Sequence, residues 1–199
     1  MRNNYIIARD NAQKLFMKMD QAELIRLHAL SADDEFIFIT YLGGTYRISR
    51  RDGHIEQDGA PAGFNTTLAI FDYLSHAPTR PTGRWCATNS LPHVGQSQPS
   101  GTSLYAAYAE KFQGNIDVFS AALAELKCAE FPKGDVSGVI PVFPDLRMAV
   151  RFWAADEDFP PQLDFFWDEN VLTRLRYETL YYVMGDLLTI ADTKIALNS

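Results

Sequence analysis

RMAVRFWAADEDFPPQLDFFW, residues 147–167, decides the fold class. Side chains alternate across a β-strand. Met148, Val150 and Phe152 therefore share one face of the first seven residues, and Ala149, Arg151 and Trp153 the other. Gln162 to Trp167 repeats the alternation, with Asp164 and Phe166 on the face opposite Leu163 and Phe165. Between the two runs Asp156, Glu157 and Asp158 make an acidic turn, closed by Phe159-Pro160-Pro161. Two runs of period two joined by so short a link form an antiparallel hairpin with a wide loop. Asp164 shares its face with Phe166, and a half-buried carboxylate needs a partner. Arg151 on the facing strand is the obvious one.

A second hairpin is expected upstream. Phe36 to Leu42 is rich in aromatic and β-branched residues, Gly43-Gly44 supplies a permissive turn, and Thr45 to Ser49 returns. Asp52-Gly53 marks another turn, His54-Ile55 begins a third short strand, and Asp58 to Gly63 is a loop. Helical spacing groups Ala8, Ala12, Leu15, Phe16 and Met19. Asp20 with Glu23 resembles a capping box before a short helix ending near Ala29. Asn65 is expected to cap a helix reaching Ser75. Leu104 to Phe112 and Phe119 to Leu126 suit two more, with Asn115 as the cap of the second. Val139, Ile140 and Val142 suit a short edge strand. A last helix is expected over Glu178–Ala191, where Gly185 marks close packing. Pro78 to Gly101 is rich in Pro, Gly, Ser and Thr and reads as irregular. Strands and helices do not alternate regularly, so a doubly wound parallel sheet is not expected. The expected fold is α+β: a mostly antiparallel sheet built from hairpins, packed against several helices, in a single globular domain over residues 1–199.

The composition, 47% hydrophobic and 22% charged, is that of a globular chain. The net charge of -7 repels phosphate backbones, so no nucleic-acid partner is expected. Arg47, Arg50 and Arg51 form the one tight basic cluster and read as solvated surface. No apolar run is long enough to span a bilayer, and no secretion signal precedes Asp10, so the reading is a soluble cytoplasmic protein without a membrane partner. Cys86 and Cys128 read as reduced thiols.

Two features attract a functional reading. The first is acidic. Asp156, Glu157 and Asp158 precede Asp164, Asp168 and Glu169 by one hairpin, and pairing of its strands could bring the two groups together. Clustered carboxylates ligate hard cations such as Mg²⁺ or Ca²⁺, or serve as a general acid; otherwise they are a solvated turn. The second is the long loop carrying Arg84, Trp85, Cys86, His93 and Gln96. Arg84 or Trp85 is expected to approach the Asp156–Asp158 turn or the Asp168–Glu169 strand end. The outcome is a ligand pocket if a polar group stays unpaired over an opening, and a clamp on the loop if every charge is matched. His28, His54, His76 and His93 lack zinc-ligand spacing and read as surface or helix-end residues. Of Cys–His pairs, only Cys86 with His93 suggests a nucleophile and base.

FPDLRMAVRFWAADEDFPPQLDFFWDEN, residues 143–170, resembles the signature of an uncharacterised family, domain of unknown function DUF3786. Trp153, Asp156, Glu157, Phe159, Pro160 and Asp168 match its pattern. LGGTYRISRRDG (42–53) resembles its first hairpin and IFDYLSHAPTRPTGRW (70–85) its helix and following loop. The resemblance runs over about residues 12–188. Ala155 stands where the family has glycine, Asp158 where it has glutamate, and Trp167 where phenylalanine is usual. The resemblance implies an accessory or small-ligand-binding domain linked to anaerobic one-carbon, corrinoid or iron–sulfur metabolism. It implies no activity, and two cysteines cannot hold a four-cysteine cluster. The cofactor and metal content stay open. The residues themselves leave two other classes open: an enzyme using an acidic carboxylate cluster with or without a divalent metal, and a protein-interaction domain presenting Trp153, Trp167 or Phe159.

Overall fold

The computed structural model describes residues 4–92 and 105–198. In chain order the elements are α1 (Asn4–Phe16), α2 (Gln21–Leu27), β1 (Ser31–Ala32), β2 (Phe36–Tyr41), β3 (Gly44–Ser49), β4 (Ile55–Gln57), β5 (Ala60–Pro61), α3 (Phe64–Leu74), β6 (Trp85–Ala87), α4 (Ala106–Gln113), α5 (Ile116–Glu125), β7 (Val136–Phe143), β8 (Leu146–Trp153), β9 (Gln162–Asp168) and α6 (Tyr177–Asn198). This is the α+β class expected, with two hairpin-built sheets in place of one: β1-β2-β3-β4-β5 and β6-β9-β8-β7. The chain divides into two compact units, one of residues 1–80, 143–145 and 171–186, the other of 81–142, 146–170 and 187–199. His93, Gln96 and Leu104 lie outside the described residues. Among the described residues, no helix is long and apolar enough to cross a membrane.

The first unit is built on the β2–β3 hairpin, in register from Phe36↔Ser49 to Tyr41↔Gly44. Ile37, Ile39, Tyr41 and Ile48 are buried. The turn is Leu42-Gly43, with φ of 44° and 79°, rather than Gly43-Gly44. Two successive positive φ angles suit the twist of a two-residue hairpin, and Gly44 belongs to the returning strand. α3 is buried from Thr66 through Leu74, an apolar helix covered all round. Its N-cap is Gly63, not Asn65; the Asn65 amide instead serves Asp186. His28 ends α2 as expected but is not at the surface. It is 7% exposed, its ring 4.9 Å from that of Tyr73.

The second unit is built on the β8–β9 hairpin, in register from Met148↔Trp167 to Trp153↔Gln162. Arg151 and Asp164 face each other and form the expected ion pair at 3.1 Å. The guanidinium also lies 4.6 Å from the Phe166 ring centroid. The loop expected to be irregular contains a strand: β6 pairs with β9 through Trp85↔Asp168, Cys86↔Trp167 and Ala87↔Phe166. The edge strand expected over Val139–Val142 runs from Val136 to Phe143. Phe112 and Phe119 of α4 and α5 stack at 4.2 Å, and Phe119 meets Phe152 edge-on at 6.0 Å. Asn115 sits at the N-cap of α5 without a capping bond; its amide donates to the Lys111 carbonyl. Cys86 and Cys128 are free thiols. α6 runs past the expected end at Ala191 to Asn198. At Gly185 an added Cβ would stand 3.4 Å from Asn65 Nδ2, the close approach its sequence position suggested.

Candidate functional site

An antiparallel hairpin leaves its connecting loop at one end, and here that loop rims an open groove of about 560 Å³. Trp153 ends β8 and Gln162 begins β9. Ala154, Ala155, Asp156, Phe159 and Pro160 complete the loop side, and Asp135 closes the groove from the start of β7. Trp153 and Phe159 are 37% and 62% exposed. Both carboxylates are oriented by backbone. Asp156 Oδ1 accepts the N–H groups of Asp158 (2.9 Å) and Phe159 (2.8 Å), a local turn that its short side chain favours. Asp135 Oδ2 accepts the Ala154 N–H at 2.7 Å, and its own N–H donates to the Phe152 carbonyl at 2.9 Å. Gly134, at φ +99°, permits this approach: a Cβ there would stand 2.7 Å from Arg151 Cγ and 3.1 Å from the Phe152 carbonyl oxygen. The second oxygen of each carboxylate makes no hydrogen bond or ion pair within the described residues. Ala155 needs no left-handed backbone, so alanine fits there, and its N–H donates to Gln113 Oε1 at 2.7 Å.

The two acidic groups do not meet. Asp156, Glu157 and Asp158 sit at the loop end of the hairpin, whereas Asp168 is the last residue of β9, a strand length of roughly 20 Å away. Pairing aligns the strands but keeps their ends apart. Arg84 and Trp85 come to the Asp168–Glu169 end. Arg84 pairs with Glu169, and its carbonyl accepts the Glu169 N–H at 2.9 Å. Asp168 accepts from the Thr82 N–H (3.1 Å), the Thr82 hydroxyl (3.0 Å), the Gly83 N–H (2.7 Å) and the Asn170 N–H (3.2 Å). Burial raises its pKa, but these amides and the hydroxyl outweigh it and hold the carboxyl below its ordinary value. Trp85 packs edge-on against Phe131 at 5.7 Å. Glu169 is paired with Arg84, and Asp168 with three N–H groups and a hydroxyl, and these contacts tie residues 82–84 to the end of β9. Of the ligand-binding candidates Arg84, Trp85, Asp156, Glu157, Asp158, Asp168 and Glu169, Asp156 alone lines the groove, together with Trp153, Phe159 and Pro160 of the family pattern. Glu157 and Asp158 are exposed on its loop.

Sequence reasoning missed Asp135, which a Lys-Gly-Asp turn does not distinguish. It also missed three acidic residues of the first unit. Asp72, its side chain 1% exposed, pairs with Arg176 at 2.7 Å. Asp145 pairs with Arg174 at 3.0 Å and accepts the Tyr73 hydroxyl at 2.5 Å. Asp186 accepts the hydroxyls of Thr66 (2.8 Å) and Tyr41 (3.0 Å) and has no cation beside it among the described residues. Burial pushes its pKa up, although the bonds from Thr66, Tyr41 and Asn65 work against that. The available signal was polarity out of place: Asp72 lies within Ile70-Phe71-Asp72-Tyr73-Leu74, where an unpartnered carboxylate would be costly. Buried Asp72 and exposed Asp145 thus form ion pairs, and Asp186 is held by neutral donors. Among the described residues no three His, Cys, Asp or Glu side chains form a group that could hold a metal ion.

The family model for the domain of unknown function DUF3786 matches residues 20–189, and the chain belongs to that family. No curated protein and no solved structure matches it.

Proposed function

We propose that the protein works through carboxylates, as an enzyme whose substrate lies in the acidic groove of the second unit against Asp135 and Asp156. One observation carries the reading: each carboxylate is oriented by backbone N–H groups through one oxygen and keeps the other free, over a groove of about 560 Å³. A pre-oriented carboxylate with a free oxygen suits a general base or a hard-cation ligand. Two such groups fall short of a resident metal site, so a divalent ion held there would need substrate oxygens or water to complete its shell. Trp153 and Phe159 would cover the apolar part of a substrate. Residues that carry the family resemblance, Trp153, Asp156, Phe159 and Pro160, line this groove. The test follows the Trp153 indole N–H resonance of the full chain during titration with Mn²⁺, then with a panel of small amines and alcohols. Saturable perturbation centred on Trp153, and lost when Asp135 and Asp156 are both changed to Asn, is expected. The same perturbation in the double variant would overturn the reading.

A second reading, an accessory small-ligand-binding domain, draws on the exposed Trp153 and Phe159 rim. Its link to anaerobic one-carbon, corrinoid or iron–sulfur metabolism rests on the family resemblance alone. Ligand binding in the groove that leaves the ligand chemically unchanged, followed by mass spectrometry, would favour it.

A further inference from the structure

We infer that the first unit carries a separate site for a small organic monocarboxylate, gripped by Arg176. The reasoning begins at Asp72. Its carboxylate accepts Arg176 Nε–H at 2.7 Å through one oxygen and the Arg176 backbone N–H at 2.8 Å through the other. A buried carboxylate holds its cation firmly, because separating them strands a charge away from water. The guanidinium is therefore fixed at its Nε end. Its two terminal nitrogens make no hydrogen bond or ion pair within the described residues, and the side chain is 65% exposed. A planar fork held at one edge presents two N–H groups at the other in the spacing that a carboxylate accepts.

That arginine lines a cavity of about 480 Å³, a volume that suits a small ligand. The lining divides by chemistry. Leu15, Leu68 and Tyr182 give it an apolar body, and Asn11 adds an amide. Thr179 adds a hydroxyl to the lining. It is 2% exposed, it lines the cavity, and its hydroxyl makes no hydrogen bond within the described residues. That hydroxyl can donate to, or accept from, a ligand atom that enters the cavity. Arg176 and Thr179 also flank the first turn of α6, a helix of 22 residues, whose positive end favours an anion. Glu178 lines the same cavity. Its negative charge opposes any anion, and a dianion such as phosphate more than a singly charged carboxylate, so the apolar lining must supply part of the binding through the tail of the ligand.

The probes are sodium benzoate and hexanoate, titrated calorimetrically into the full chain, with inorganic phosphate and benzyl alcohol as controls. Benzoate or hexanoate is expected to bind, and both controls to bind at least about tenfold more weakly. Arg176→Lys keeps a cation beside Asp72, and so the fold, but removes the fork. It should weaken carboxylate binding by about tenfold. Thr179→Val keeps the volume and removes the hydroxyl, and should weaken it by roughly three- to tenfold. Thermal melts check that both variants stay folded. The inference is overturned if neither carboxylate binds, if phosphate or benzyl alcohol binds as well as benzoate, or if both folded variants bind like the parent chain. Asp135→Asn with Asp156→Asn lies outside this site and should leave benzoate binding unchanged.

Discussion

Asp168 and Asp156 belong to the same hairpin, one closing β9 and the other in the loop that opens it, and the protein uses them differently. Asp168 engages three backbone N–H groups and a hydroxyl, with both oxygens committed. Asp156 engages two N–H groups through one oxygen and lines the groove, its other oxygen making no hydrogen bond among the described residues. The first unit repeats the contrast. Asp72 is buried and matched to Arg176, whereas Asp186 is held by hydroxyls and an amide with no cation among the described residues. What a carboxylate can do is set by how many of its acceptor sites the fold has already taken. Charge matching then decides whether its ionised form stabilises the fold or strains it.

The largest expected effect tests the matched pair. Arg176→Ala takes the guanidinium from the buried Asp72 carboxylate, leaving it the backbone N–H at 176 and His76 Nδ1 at 3.8 Å, and should cost roughly 3 kcal/mol of unfolding free energy in urea titrations at neutral pH. Arg176→Lys should recover much of that. A loss below about 1 kcal/mol would mean that the pair behaves like a surface salt bridge, and the contrast with Asp186 would fail. Next comes Asp168→Ala, expected to cost about 2 kcal/mol through amides left unpaired and to raise hydrogen exchange at Thr82 and Gly83. If exchange there stays slow, the clamp is held by β6 pairing alone.

A third effect sharpens the contrast by sign. The pKa of Asp168 is held below its ordinary value, so the unfolded chain binds the proton first. Its contribution is present above about pH 4, where the unfolded carboxyl is ionised, and is lost as pH falls through the lower folded value. Asp186 is shifted upward by burial. Its contribution is present below about pH 4 and is lost as pH rises through the folded value. Asp186→Asn should therefore raise the urea midpoint at pH 7 and change it little at pH 3, whereas Asp168→Asn should lower it at pH 7. Equal midpoints for Asp186→Asn and the parent chain at both pH values would remove the claim that Asp186 carries an unmatched charge.

The hairpin was legible because alternation is a local signal: residues 147–153 and 162–167 by themselves place Arg151 opposite Asp164. The family resemblance was legible through the same stretch. β6 was not, since its three residues sit in a Pro- and Gly-rich run and become a strand only by pairing with Phe166, Trp167 and Asp168. The true partners of Asp186 were hidden for a related reason. Tyr41 lies 145 residues away, and a single polar position on an apolar helix face does not name what it meets. The turn at Leu42-Gly43 misled by composition: two adjacent glycines suggest the turn, yet Leu42 takes the first positive φ and Gly44 the strand. Asp135 reaches the groove by a backbone approach at Gly134, which no periodicity encodes.

The smallest expected effect concerns Asp156, and it separates stability from function. An amide side chain can still accept the N–H groups of Asp158 and Phe159, so Asp156→Asn preserves the local turn. The residue is exposed, and substitutions of that kind usually move stability by less than about 0.5 kcal/mol. The unfolding free energy should therefore match the parent within error. What changes is the free oxygen, which is replaced by an uncharged NH2 group that neither accepts a proton nor holds a cation. In the Mn²⁺ and amine titrations, perturbation at the Trp153 indole should fall by at least about threefold in this single variant, because one of the two carboxylates is gone. An unchanged melt with a weakened titration is the signature of a carboxylate kept available for a ligand. A lowered melt with an unchanged titration would assign Asp156 to the same class as Asp168, a residue that holds the chain together.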